Sequence, residues 1–438
     1  MRSLRSTLIL VVVLAGLVGY IYYLNGRDTT GADAKEKAFA SVKEGDVEEI
    51  RIKSADGETT LVQKADGAWK IVEPEAAAAD QGELSSITSS LATLEIQRVV
   101  DEQASDLKQY GLEPARVEVE FRAKGAKEPQ RIALGEKTPT GGDLYARLPG
   151  QPRVFLVSSF VDSTFNKNTF ALRDKSVIKI EREKVDRLEL QKDGKPAVTL
   201  VKTGTEWRIA APMMGRADFA AVEGALERLS SGQMQGIVSA DSADAGKRQL
   251  DPPVASVTAV AGSARATLLF GATENALMYA KDASRPMIFT VAPALYTDVI
   301  RDVGEFRRKD LFDARSFTAT HAEFKRGSET VTLNKTKNKD GSESWHNAAS
   351  KQIDARKVEE LLAKVSGLQA ESFDAGTPAA LKSPALVVTV RFDDNKTEQV
   401  TFARSGGDVL ASRSDEPGTA RVPAASFDEV FKGIDEMK

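Results

Sequence analysis

Two periods organise the apolar positions of this chain. Short runs with every second residue apolar come in groups, and longer runs with apolar residues three and four apart follow them. The first group predicts strands near 47–52, 58–63 and 68–72. Asp56-Gly57 and Asp66-Gly67 separate these runs, and Asp-Gly between alternating runs favours a type I′ hairpin turn with positive φ at both central residues. A helical pattern comes next, through Leu84, Ile87, Leu91 and Leu94. Asp80 stands before it as an N-cap, where a carboxylate accepts from the helix's orphan N–H groups. Glu83, three residues on, suggests a capping box.

The same order occurs three times, and the tryptophans mark it. Trp69 in "DGAWKI", Trp207 in "GTEWRI" and Trp345 in "SESWHN" are the only three, and the intervals between them are equal. Asp193-Gly194 and Arg326-Gly327 repeat the earlier turn, and Thr203-Gly204 and Asp340-Gly341 the later one. Asp218 leads Val222, Leu226 and Leu229, and Asp354 leads Val358, Leu361, Leu362, Val365 and Leu368. A Leu–Pro element follows each helix: Leu112 with Pro114, Leu250 with Pro252, Leu381 with Pro384. The strand after it ends "IALG" at Gly135, "LLFG" at Gly271 and "VTFA" in the third copy. A second helix closes each copy, in "SSFVDSTFNKN", "PALYTDVIRDVGEF" and "PAASFDEVFKGIDEM". Tryptophans at equivalent strand positions of separate modules read as core packing, not as a ligand cage of three indoles.

The start of the chain carries a different pattern. Leu8 to Leu24 holds no charge and is almost wholly apolar. As a helix it would span roughly 26 Å, near the short limit for a bilayer core. Tyr20, Tyr22 and Tyr23 suit the headgroup level at one end. The alternative is a cleaved signal peptide, with Arg2 and Arg5 as its basic region and Ala32-Asp33-Ala34 as its cleavage match. That match lies well beyond the apolar run, and the bulky "YIYYL" end suits cleavage poorly, so the anchor reading leads. Basic residues flank both sides, Arg2 and Arg5 before and Arg27, Lys35 and Lys37 after, so flanking charge leaves orientation open.

The expected fold class is therefore α+β: an N-terminal transmembrane helix followed by three tandem repeats of an antiparallel-sheet-plus-helices module. The organisation expected is a cytoplasmic tail over 1–7, a transmembrane anchor over 8–24 and a linker over 25–45. Module one covers 46–175, module two 176–312 and module three 313–438.

Composition narrows the chemistry. The chain has 438 residues, 41% of them hydrophobic and 28% charged, as expected of a folded chain with several cores. A net charge of −4 gives no reason to expect nucleic acid as partner. With no cysteine, disulfides, thiolate metal sites and a cysteine nucleophile are excluded. Phosphate-loop, dinucleotide and nucleophile-elbow motifs do not occur. The two histidines, His321 and His346, cannot form a paired metal motif on one helix. Carboxylates are abundant, but Asp80, Asp218 and Asp354 have the capping role. Asp174 and Asp310 stand in the basic joints "LRDKSVIKI" and "FRRKDLFDA", where ion pairing accounts for them. No catalytic, cofactor-binding or metal residue is assigned, and no cofactor is expected.

The anchor, "W-[KR]-I" with its downstream aspartate helix, "YGLEPARVEVEF", "ALGEKTPTGGDLYARL" and "FALRDKSVIKIEREKVDRLEL" together resemble a bacterial membrane-anchored family. Its members carry a domain of unknown function and are often encoded beside gliding-motility-type ABC transporter auxiliary proteins. The resemblance is strongest over 46–312 and departs in the third copy, at "SWHN" and "VTFA". It implies an extracytoplasmic partner of an ABC exporter system, itself of unknown activity; taken with the anchor, the repeat array and the lack of catalytic motifs, the expectation is a non-enzymatic extracytoplasmic accessory or scaffold of an ABC-type transport assembly. Its bulk would lie outside the cytoplasmic membrane, with a permease or auxiliary subunits as partners. The alternative is a protein that binds an envelope polymer or an exported substrate; a hydrolase built on a carboxylate pair is a third reading.

Overall fold

The computed structural model describes residues 35–393 and 395–437. The chain divides into two compact units, one ending at Lys175 and the other starting at Ser176.

The first unit is built on one nine-stranded antiparallel sheet. Its strands are β1 (Val47–Lys53), β2 (Thr59–Ala65), β3 (Ala68–Glu73), β4 (Ala77–Ala78), β5 (Arg98–Asp101), β6 (Val117–Ala123), β7 (Gln130–Lys137), β8 (Asp143–Arg147) and β9 (Val154–Ser158). Their order is β4-β3-β2-β1-β6-β7-β8-β9-β5. Two four-stranded meanders thus run outward from a central β1–β6 pair, in which Ile50 faces Phe121 and Ile52 faces Val119. Alternation, shifted once by an irregularity between Val47 and Glu49, assigns the faces: Val47, Ile50, Ile52, Val117, Val119 and Phe121 are buried. Arg51 and Lys53 point away and pair across the sheet with Glu73 at 2.8 Å and Glu118 at 3.1 Å. Such exposed pairs contribute little, about 0–1 kcal/mol each.

Helix α1 (Gln81–Thr93) covers the apolar face, and its Leu84, Ile87 and Leu91 are buried in the core. Asp80 caps it, Oδ1 accepting from the Gly82 and Glu83 N–H groups at 2.9 and 3.1 Å. Asp218 and Asp354 cap their helices in the same way, through Ala221 at 2.8 Å and Arg356 at 3.0 Å. The capping box does not form at Asp80, because Glu83 pairs with Lys167 at 2.8 Å. Phe39 and Val42, inside the stretch read as linker, belong to this core, and Phe39 meets Phe121 edge-on with ring centroids 4.9 Å apart. An isolated bridge, Lys37 with Glu95, holds that leading segment; Ser176 with Gln233 and Asp310 with Gln369 repeat it in the second unit.

The Leu–Pro element has a packing role on the opposite face. Leu112 is buried there with Ala133 and Val154, under a segment that lies across β7 and β9. This explains the glycine of "IALG": a Cβ at Gly135 would stand 2.0 Å from the Tyr110 carbonyl oxygen. Gly271 meets the same constraint from the Arg248 carbonyl at 2.2 Å. In the third copy Ala403 takes this place and packs against Leu381, which sits on a short helical turn, Ala379–Lys382.

The second unit contains two further nine-stranded sheets with the same strand order. Arg187–Lys192 pairs with Ala255–Ala261 at the centre of one, and Ala319–Arg326 with Leu386–Phe392 at the centre of the other. Helices α4 (Phe219–Ser231) and α7 (Ala355–Ser366) take the place of α1. The closing helix is two short segments in the first two copies. These are α2 (Phe160–Phe165) and α3 (Thr169–Leu172), then α5 (Pro293–Val299) and α6 (Val303–Phe306). Asn166 and Ile300 leave helical dihedrals, and Asn168 and Asp302 start the next segment. Only α8 (Ala424–Asp435) runs unbroken.

The expected α+β class is corrected by these observations. The runs read as a local meander and separate later strands join into one sheet per module, so the described chain is mostly β, with short helices on the sheet faces. No described helix is long and apolar enough to cross a membrane, and the expected helix over 8–24 lies outside the described residues. The turns are also more varied than Asp-Gly suggests. Both central residues have positive φ at Asp66-Gly67 and Asp193-Gly194, whereas only the glycine does at Gly57, Gly204, Gly327 and Gly341.

Three substitutions test the packing. Gly135→Ala should lower stability by roughly 1–3 kcal/mol or more, as overpacking against backbone does. Gly45→Ala, whose Cβ meets nothing within 4 Å, should change it by less than about 0.5 kcal/mol. Trp345→Ala should cost roughly 3–5 kcal/mol. Urea unfolding measures all three, and equal midpoints for the two glycine variants would contradict the close approach.

Candidate functional site

The tryptophans are core residues. Trp69, Trp207 and Trp345 are 7%, 2% and 1% exposed, which leaves no indole face for a ligand. A lysine stands opposite each in the hairpin register: Lys64, Lys202 and Lys335. The Lys202 and Lys335 ammonium groups lie 5.5 and 5.9 Å from the ring centroids, so the lysine stem covers the ring while its charge meets the π face. The Trp207 Nε1–H donates to Glu223 at 3.0 Å.

The other residues singled out in the sequence do not converge. His321 Nδ1 lies 2.8 Å from Asn334 Oδ1, and His346 Nδ1 lies 2.9 Å from Thr336 Oγ1; both contacts are between neighbouring strands. Asp174 lies in the first unit and Asp310 in the second. Among the described residues no group of three His, Cys, Asp or Glu side chains is placed to hold a metal ion.

The densest polar site lies in the second unit, where its two sheets meet. Arg216 comes from the short strand Gly215–Arg216 at the edge of the second sheet. Its guanidinium reaches Glu416 at 2.6 Å, Asp313 at 2.7 Å and the Asp310 carbonyl at 2.7 Å. Arg307, just after α6, donates to the other Glu416 oxygen at 3.2 Å and to the Pro417 carbonyl at 3.0 Å, and lies over the Phe373 ring at 4.2 Å. Glu416 stands in the turn between the strands Asp408–Arg413 and Thr419–Val422 of the third sheet, its side chain only 7% exposed. Deeper in, Glu398 accepts from the Asp313 and Ala314 N–H groups at 2.9 and 2.8 Å and pairs with Arg413 at 3.1 Å. Arg413 also donates to Asp415 at 2.8 Å. Buried charges of one sign meet charges of the other throughout, the condition under which burial of ions is tolerated.

Asp310 anchors the rim of this network. Burial works to raise its pKa, but hydrogen bonds from Gln369 and Arg315 and the charges of Arg308 and Arg315 outweigh it and hold the carboxyl below its ordinary value. The joint "FRRKDLFDA" showed Arg307, Arg308, Asp310 and Asp313 in the sequence. Their partners Glu398, Arg413 and Glu416 carry no local signal, since they come from strands and a turn about a hundred residues away. This arrangement fastens two sheets. It presents no unpaired acid, base or nucleophile facing a cleft.

Each unit also carries a groove. One, about 760 Å³, lies in the first unit between Ala38–Ser41, Glu128–Arg131 and Leu148–Gln151. The other, about 560 Å³, lies in the second unit and is lined by apolar residues that include Ile178, Val185 and four alanines, and by the charged Lys179, Glu181, Lys184 and Arg265.

Two predictions follow from the network. Glu416→Gln leaves two buried guanidinium groups short of a counter-charge, so it should lower the stability of the second unit by about 3–5 kcal/mol. Urea unfolding read by tryptophan fluorescence should show it. The second concerns acid. A carboxyl held low in the folded state adds stability that is complete above its unfolded pKa, about 3.9, and is lost as pH falls through the folded value. The stability difference between wild type and Asp310→Asn should therefore be constant above about pH 5 and shrink below about pH 4. A difference that stays flat through that window would show that Asp310 is not held by its ionic partners.

The comparisons with known proteins supply a family and no activity. Nothing among the curated proteins matches the chain. Among solved structures, two DNA polymerase sliding clamps from Pseudomonas aeruginosa, one with a ligand and one bound to griselimycin, each match at 8% identity and a TM-score of 0.14. Each alignment covers 87% of this chain and 92% of theirs, but at that TM-score the likeness supports no argument. Residues 69–211 and 207–387 match a family in two successive copies, so the chain belongs to the family described as Domain of unknown function (DUF4340).

Proposed function

We propose that this protein is a non-enzymatic accessory or scaffold subunit of an ABC-type transport assembly, working at the extracytoplasmic face of the cytoplasmic membrane with a permease or auxiliary subunits as partners. One observation carries the scaffold part: where the second and third sheets meet, the buried Arg216 and Arg307 of one module are both held by Glu416 of the next. Repeated modules with a fastened joint between two of them offer surface to partners and not a single reactive cleft. The uncharged run Leu8–Leu24 and the absence of cysteine support the location, and the family resemblance supports the transport partner.

Binding of an exported substrate or an envelope polymer is the second reading. The groove of the second module, lined by alanines and by charged side chains of both signs, favours it. The buried tryptophans count against a surface lined by stacked aromatic rings.

The test is affinity purification of the C-terminally tagged protein from crosslinked, detergent-solubilised native membranes, read by mass spectrometry. A permease, its ATPase or an auxiliary subunit in comparable amount is the expected result. Envelope polymer alone would move the assignment to the second reading.

A further inference from the structure

The interface between the second and third sheets has two halves, and each has a counterpart elsewhere in the chain. The donor half centres on Arg216, which pairs in register with Arg208, the residue after Trp207. In the third module the residue after the tryptophan, His346, pairs with Gln352, so Gln352 holds the position of Arg216. The acceptor half has three parts: the leading segment from Asp310, the edge residue Phe373 and the turn holding Glu416. In the first module the leading segment from Lys37 matches the first part, by its bridge to Glu95. Val99, paired with Phe155, matches Phe373, paired with Ala420. The turn after the Ala146–Phe155 pair has the same length as that after Ala411–Ala420, and places Gln151 before Pro152 where Glu416 stands before Pro417. The groove of about 760 Å³ lies along this face of the first module, between Ala38–Ser41 and Leu148–Gln151.

We propose that this face of the first module is a docking surface for the third module of a second copy of the same chain, joined head to tail. The occupant follows from the paired substitution. Inside the chain the contact is an arginine with a glutamate, Arg216 with Glu416. At the two unmatched positions both members are uncharged amides, Gln352 and Gln151, both exposed. Two amides can donate to and accept from each other, whereas either one set opposite a charge from the internal joint leaves that charge without a counter-ion. The replacement therefore keeps these two positions compatible with each other and discriminates against the internal joint. A contact between two different patches of identical chains is heterologous.

The experiment uses the full chain in a mild detergent, with mass measured by sedimentation velocity over a concentration series. Wild type should associate in a concentration-dependent way. Gln151→Glu alone should weaken association roughly tenfold, and Gln352→Arg alone should weaken it similarly. The double variant rebuilds the Arg216–Glu416 pair across the contact and should recover wild-type association or exceed it. Circular dichroism of each variant confirms that exposed substitutions leave the fold intact. Association that ignores both single substitutions would place the contact elsewhere. A chain that stays monomeric as wild type and as the double variant would overturn the proposal.

Discussion

Everything in each module hangs on the central antiparallel pair, β1 with β6 and its two counterparts. Four strands before the helix form one meander and four after it form another, and only this ladder joins them. The pair also decides the faces. With Ile50 opposite Phe121 and Ile52 opposite Val119, a slip of one residue would turn one strand's apolar set outward and bring either Arg51 or Glu120 into the core. The long-range ladder is therefore both the connection and the register key. The helices, short as they are, need only cover an apolar face that the sheet has already assembled.

A close approach on the other face adds a second constraint. The Leu–Pro segment crosses β7 so tightly that its carbonyl excludes a Cβ at Gly135 and Gly271. In the third module the crossing segment is arranged differently, around the turn Ala379–Lys382, and alanine is accepted at 403. A departure that looked like decay of the repeat is thus a local repacking. It shows how the module tolerates drift: the core face keeps its tryptophan, its capped helix and its β-branched strands, while the strap and the turns vary.

Much of this was legible in the chain. The tryptophan register, the three aspartate caps and the amphipathic helices depend on neighbours within a few residues, and the sequence displays such neighbours directly. The joining of two meanders into one sheet depends on β1 finding β6 some seventy residues on, which no local pattern displays, and the α+β expectation arose there. Glu83 was misread for the same reason, since its partner Lys167 lies far along the chain. At the sheet junction half the network stood in plain view in "FRRKDLFDA". The other half, Glu398, Arg413 and Glu416, looked like ordinary surface charge, because burial is a property of the fold and not of the residue.

The junction itself shows what ionic burial achieves here. Removing Arg216, Arg307, Glu398, Arg413 and Glu416 from water is costly, and apolar side chains of similar volume often hold such an interface as well or better. What charges add is discrimination. Glu416 accepts from the main chain and side chain of Arg216 and from the side chain of Arg307, so its orientation is set by three donors from the second module. A sheet presenting an amide in place of Glu416 would leave both arginines short of a counter-charge. In a chain built from three similar sheets, any module's edge resembles any other's in backbone geometry. The equivalent turn position carries Gln151, then Arg285, then Glu416, with a proline following each time. In the second module Arg285 turns inward and holds the Ser176 and Val177 carbonyls at 3.0 and 2.8 Å. One position thus serves as a neutral face, an internal clasp and an ionic latch. The fold is repeated, and the identity of each module is written where the repeats differ.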